Sequence, residues 1–180
     1  MSGIISDNLG RSSGLVKAAG GGGKIGQVVS TTKTDTFTSN SQTFTDVTGM
    51  SVAITPAATT SKVLVFAKVS CGQPSGNAVM VKVIRDSTDI LVGDEASART
   101  RTSGSVYAHV SANTGPIYGT IEVPILYLDS PSSISELTYK IQFKQGEDLT
   151  GVLNASADDT DAFYRPRTAS TITVMEVLAW

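Results

Sequence analysis

The sequence predicts an all-β fold, an antiparallel β-sandwich of jelly-roll type carrying an extended N-terminal arm. Three observations lead there. The chain is rich in Thr, Val, Ser and Gly, with 17 glycines and only 17% charged residues; Thr and Val suit half-buried pleated surfaces, and Ser, Gly and Asn suit the turns between them. Apolar residues alternate in short runs bounded by turn chemistry. After residue 25 no segment holds helical periodicity for about ten residues. About eight to eleven short strands without crossover helices argue for a sandwich; a β-helix would need a fixed-period repeat, and none is found.

Residues 25–180 form the predicted sandwich domain. Val28–Thr32 opens the strand series. Thr34–Phe44 reads as two short strands around the turn Ser39-Asn40-Ser41, and Met50–Thr55 alternates up to Pro56. Lys62–Ser70, "KVLVFAKVS", is nearly continuous in apolar residues and predicts a strand covered on both faces. Ala78–Arg85 leads into the hairpin connection Asp86-Ser87-Thr88-Asp89, with Asp89–Gly93 returning. Ala96–Gly104 is a polar, exposed loop, and Ser105–Ser111 alternates around Val106, Ala108 and Val110. Tyr118–Leu128 is interrupted by Pro124, which cannot donate to a ladder and so predicts an edge strand or a bulge. Leu137–Lys144 alternates most cleanly, with Leu137, Tyr139, Ile141 and Phe143 on one face; a slip of one residue would invert it, so its register is firm. Leu149–Asn154 and Ser170–Leu178 complete the set.

Residues 1–24 differ in kind. Ile4, Ile5, Leu9, Leu15 and Val16 are spaced by Gly and Ser, too sparse for a core of their own. Gly20–Gly23 is a hinge by composition; without the spacing and the Ser or Thr after Lys24 it is no phosphate-binding loop. Two readings of this segment stand: a solvated terminus, or a docking arm whose apolar residues are buried on another subunit. A helix over Leu9–Ala19 is weakened by Gly10 and Gly14. The start is too polar for a signal peptide, and no apolar run is long enough to span a bilayer. The net charge of −2 and pI near 5.3 leave no electrostatic footprint for nucleic acid. With one cysteine no internal disulfide forms, which fits a reducing compartment.

Candidate chemistry is thin. Nucleophilic hydrolysis needs a nucleophile, a base and an orienter, and the single histidine, His109, lies within an alternating strand with no Gly-x-Ser-x-Gly elbow anywhere. The expectation is a non-enzymatic chain without cofactors. Cys71 reads as a small buried residue. Asp158, Asp159 and Asp161 have alternating oxygen ligands of the kind that hold Ca²⁺, but lack the glycine and terminal Glu of an EF-hand loop; a solvated turn is favoured. Glu147-Asp148 is a hairpin turn before it is a carboxylate site. Asn154-Ala155-Ser156 fits a glycosylation sequon, discounted without a secretory signal. Arg99 and Arg101, and Arg165 and Arg167, are either exposed loop charge or partners for carboxylates across a subunit boundary. Tyr107, Tyr118, Tyr127 and Tyr164 would line a sugar-binding surface, or else fill the core.

Three stretches carry a family resemblance. "SGIISDNLGRSSGLVKA" at the start, "FTDVTGMSVAITPAATTSKVLVFAKVS" in the middle, and "YLDSPSSISELTYKIQFK" with the closing "ASTITVMEVLAW" resemble segments of virion structural proteins of marine bacteriophages. Outside Asp94–Tyr118 the resemblance covers most of the chain. It implies a short tail or baseplate fibre, or a head-attached fibre or decoration protein; on that reading the chain is made in the host cytoplasm, and the arm residues Ile4, Ile5, Leu9, Leu15 and Val16 are the expected virion-docking residues. It also implies a trimer. The residues add their own reason for assembly: Lys62–Ser70, Ala78–Arg85 and Ile121–Leu128 offer apolar side chains on both faces, whereas a two-layer sandwich covers one. The apolar ending places Met175, Val177, Leu178 and Trp180 as the expected oligomer interface. The competing function is a lectin-like module for host surface polysaccharide, which a cluster of exposed aromatics at one end would favour.

Overall fold

The computed structural model describes residues 24–73, 76–108 and 118–178. Eleven strands run in the order β1 (Ile25–Lys33), β2 (Phe37–Ser39), β3 (Thr45–Ile54), β4 (Lys62–Gly72), β5 (Asn77–Arg85), β6 (Thr88–Ile90), β7 (Gly104–Ala108), β8 (Ile121–Asp129), β9 (Leu137–Gln145), β10 (Gly151–Leu153) and β11 (Ser170–Val177). Among the described residues all strand pairings are antiparallel. The first sheet has β1, β11, β4 and β8 side by side, with β10 and β2 continuing from the far end of β4; the second has β3, β9, β5 and β7, with β6 also on β5.

Eight of these strands pair in a nested way: β1 with β11, β3 with β9, β4 with β8, and β5 with β7. That is one long hairpin rolled up so that alternate rungs fall in opposite sheets, the jelly-roll arrangement. The predicted fold class holds. The core lies between the sheets and is lined by the inward positions of each strand: Val63, Val65, Ala67 and Val69 from β4, Val79, Val81 and Val83 from β5, Leu137, Tyr139, Ile141 and Phe143 from β9, and Ile172 and Val174 from β11. Small β-branched residues dominate, and Tyr139 and Phe143 are the large aromatics among them; Phe37 and Phe143 meet edge-to-face at 5.9 Å.

Polar groups inside the sandwich are tied down. Asp129, at the end of β8, accepts from Arg85 Nη1 at 2.5 Å and from the Tyr139 hydroxyl at 2.7 Å, joining the first sheet to the second. Burial, then the neighbouring Asp129 carboxylate, push the Tyr139 hydroxyl well above the usual phenol range. Glu176 accepts from the Ala57 amide at 2.6 Å and from Gln27 Nε2 at 3.0 Å, fastening β1 and the loop after β3 onto β11. A Cβ on Gly26 would come within 2.8 Å of Glu176 Oε2, so a side chain there would have to displace the carboxylate.

Four sequence expectations are corrected. Thr34–Phe44 is not a hairpin: only β2 forms, and it pairs with β10, so the Ser39-Asn40-Ser41 segment carries the chain between sheets instead of reversing it. The β5–β6 connection is shorter than expected, because Arg85 pairs with Thr88 and leaves a two-residue turn with Asp86 at φ 54°, a conformation Asp tolerates. β3 starts earlier than Met50 and carries a register shift between Asp46 and Ser51, with Gly49 at φ 81°. β4 is not covered on both faces, because its outward residue Phe66 remains 49% exposed. Pro124 sits on β8, which pairs only with β4 among the described residues, as an edge strand should. The predicted arm, with Ile4, Ile5, Leu9, Leu15 and Val16, lies outside the described residues, as do His109 and Trp180.

Candidate functional site

The outward face of the first sheet is the largest chemical anomaly. Register places side chains in rows across the strands. One row runs Val28, Met175, Leu64, Leu128; the next runs Ser30, Thr173, Phe66, Leu126. Ile25 lies opposite Val177 at the end of the same face. Leu126 is 64% exposed, Val28 57% and Leu128 44%. Single exposed apolar residues are ordinary, but a contiguous patch on a sheet face marks an interaction surface. Its border is charged, with Lys68 and Glu122 3.7 Å apart beyond Phe66 and Leu126.

Of the predicted interface residues, Met175 and Val177 stand on this face, half-buried by their neighbours. Leu178 is placed differently. Its amide donates to the Lys24 carbonyl at 2.8 Å, and its side chain lies over Gly26 on the Glu176 side of β1. Phe66, Leu126 and Val28 were not singled out from the sequence. The available signal was the outward set Lys62, Leu64, Phe66, Lys68 within a run that reads as uniformly apolar.

A second concentration of chemistry lies between β10 and β11. The predicted Asp and Arg groups meet there, within the chain. Arg165 pairs with Asp158, and Arg167 Nη2 with Asp159 Oδ2 at 2.7 Å. The Thr160 hydroxyl and the Arg165 guanidinium hold the Asp158 carboxyl below its usual range. Among the described residues no three His, Cys, Asp or Glu side chains converge as a metal site. Tyr164 and Tyr118 come together edge-to-face at 5.6 Å, whereas Tyr127 packs against the core and Tyr107 lies on β7. Phe163, not anticipated, adjoins Tyr164 at 5.2 Å. Arg99 and Arg101 find no carboxylate among the contacts described; Arg101 Nε donates to the Gly93 carbonyl at 2.7 Å.

Burial pushes the Cys71 thiol up to about 12, so it is neither a nucleophile nor a ready metal ligand near neutral pH. A cavity of about 400 Å³ lies between β7 and β8, lined by Gly104–Tyr107 and Ile121–Pro124. Among the described residues no helix is long and apolar enough to cross a membrane.

No family model and no curated protein matches the chain. Among solved structures it is similar to infectious bursal virus-derived T=1 particles (TM-score 0.42, 10% identity) and to the infectious bursal disease virus VP2 subviral particle (TM-score 0.40, 9% identity). Each match covers 86% of this chain but only 40% and 42% of the other, so the chain spans about two fifths of those structures. Superposition at this level carries no inference about function.

Proposed function

We propose that this chain is a non-enzymatic structural subunit of a bacteriophage particle, a fibre or capsid-attached component. It associates with copies of itself through the outward face of the first sheet and is tethered to other virion proteins by residues 1–24. The apolar face carries the reading. Burying a Leu or Phe side chain contributes about 1.5–3 kcal/mol, and rows of such residues on one flat face provide a large, self-complementary surface. The sheet edges are poorer routes to assembly, since Pro124 interrupts the free edge of β8.

The occupant is a second copy of this chain, because the face is apolar along β1, β11, β4 and β8, and two copies cover each other with like surfaces. β1 begins at Ile25 beside Val177, at the end of the patch. Closed rotational symmetry buries the face in every copy, and three copies match the virion proteins that the sequence resembles. The chemistry agrees with a structural role: the one thiol is inert, and Asp46, Asp89, Asp129, Asp158 and Asp159 are each paired with a basic side chain. Light scattering or native mass spectrometry on the purified full-length chain is expected to report three copies. A stable monomer at micromolar concentration overturns the assembly reading.

A further inference from the structure

The chain leaves the first sheet at Ala155 and re-enters at Arg167, the two closing an isolated antiparallel bridge. The base of this loop is rigidly built. The Thr168 amide donates to the Asn154 carbonyl at 3.0 Å, and Asn154 Nδ2 donates to the carbonyls of Lys33 and Asp35, both at 2.9 Å. Gly72 lies under the loop with no room for a side chain, since a Cβ there would come within 1.9 Å of the Ala155 oxygen.

On this base stands a small polar cavity of about 240 Å³, lined by Asp159, Thr160, Asp161, Ala162, Arg165 and Arg167. Beside it the Phe163 ring is fully exposed, and Tyr164 and Tyr118 continue the aromatic series. The Arg165 guanidinium lies 4.5 Å from the Tyr118 ring centre. It is held there by Asp158, with Nη1 also donating to the Asp158 carbonyl at 2.7 Å. The Arg165 side chain is only 9% exposed, yet its Nε has no acceptor. A buried donor without a partner is costly in a finished structure.

We propose that the 156–166 loop binds a neutral hexose unit of a surface glycan. A sugar ring presents one face of C–H groups and a rim of hydroxyls. The open Phe163 ring supplies a stacking surface for the first, and Asp159, Asp161, Thr160 and the arginines supply acceptors and donors for the second. The cavity falls below the ~300 Å³ of sites for drug-sized ligands, which suits one ring. Charge sets the class: three carboxylates stand against two guanidinium groups, and both arginines are already paired, so an acidic sugar or a phosphate meets net repulsion.

The position fits attachment to an outside surface. Ile25 pairs with Val177 at one end of β1 and Lys33 with Ser170 at the other; the loop stands at the Lys33 end, roughly 25 Å along the strand from Ile25. A chain tethered by its arm presents this loop outward. The binding itself does not depend on the virion reading.

Saturation-transfer NMR and calorimetry with glucose, galactose, mannose and N-acetylglucosamine, and with glucuronic acid and inorganic phosphate as acidic probes, test the proposal on the full chain. At least one neutral sugar is expected to bind in the millimolar range. F163A and D161A are each expected to weaken it about tenfold, and both positions are exposed, so the fold tolerates them. L126K, on the proposed assembly face and outside the loop, is expected to leave sugar binding unchanged even where it abolishes oligomers, which separates the two claims. Absence of binding to every neutral sugar, binding indifferent to F163A, or preference for glucuronic acid or phosphate overturns the proposal.

Discussion

On the second sheet the outward residues find partners inside the chain. Lys140 Nζ bonds Asp46 at 2.6 Å, Gln142 bonds the same carboxylate at 2.8 Å, and Lys82 pairs with Asp89 at 2.7 Å. Lys82 and Lys144 also flank the Phe44 ring, at 4.4 and 5.8 Å from its centre. On the first sheet the outward residues Leu64, Phe66, Leu126 and Leu128 adjoin one another, Met175 and Thr173, with the Lys68–Glu122 pair at the border. The two faces share the same pleat and the same alternation, and their inward sides are equally apolar. What differs is the composition of the outer sides: the second pairs Lys82 and Lys140 with carboxylates of the same chain, and the first carries rows of apolar side chains. Topology alone makes no such distinction between the two sheets.

The sharpest way to break the comparison is to give the first face the chemistry of the second. F66K combined with L126K places two like charges side by side on an apolar field. Phe66 and Leu126 are about half and two thirds exposed in the single chain, so losing their cover forfeits roughly 2–3 kcal/mol before repulsion is counted, a change of more than about tenfold in association. Light scattering is expected to fall from the oligomer to one copy, with the far-ultraviolet spectrum unchanged. The reciprocal control, Q142K on the second face, is expected to leave the copy number alone. If the double lysine chain stays assembled, the first face is not the interface.

Much of this contrast was legible in the sequence, and the reason it was not wholly so is physical. Period-two alternation fixes which residues point together, so Leu137, Tyr139, Ile141 and Phe143 were readable as one buried face. Alternation does not say which strand lies beside which. The nested pairing of β1 with β11 joins the two ends of the domain, and no local signal encodes it. Thr34–Phe44 misled for the same reason, because turn-forming residues look alike whether the chain reverses within a sheet or crosses to the other. In β4, Val63 and Leu64 read equally apolar, and only the assembled sandwich shows that one is enclosed and the other outside. The aromatic loop was half legible: Tyr118 and Tyr164 were named, but their meeting across some 45 residues of chain depends on the fold, as the reach of a chain that long allows many other placements.

A smaller effect separates the two sides of β11. Its outward Met175 belongs to the open face, but its inward Glu176 is buried and charged. Burial alone would raise the Glu176 carboxyl; the Ala57 amide and the Ser61 and Gln27 side chains outweigh it and hold the group below its ordinary range. A folded value below the unfolded one means the stabilisation is fully present above about pH 4.3, and is lost as pH falls through the folded value. Urea midpoints are expected to drop below pH 4.5 in the native chain. E176Q is expected to be less stable by about 1–2 kcal/mol at pH 7, with a flatter acid limb. An unchanged acid limb in E176Q would show that other carboxylates govern the acid transition.

The smallest expected effect tests whether the second face is as self-contained as its contacts imply. The Asp46 carboxyl is held below its usual range first by the Lys140 hydrogen bond and then by Gln142. The Lys140–Asp46 pair is partly exposed, so water and salt screen it, and K140A is expected to destabilise the chain by less than ~1 kcal/mol. The Asp46 titration, followed by carboxyl carbon NMR, is expected to move up toward the ordinary aspartate range without reaching it, because Gln142 Nε2 still donates to the other oxygen. The effect should shrink further in 0.5 M salt, where exposed charges lose their reach. Copy number should stay as in the unmodified chain. A loss of oligomers on K140A would mean that the charged face also meets a neighbour, and the division of labour between the two sheets would have to be redrawn.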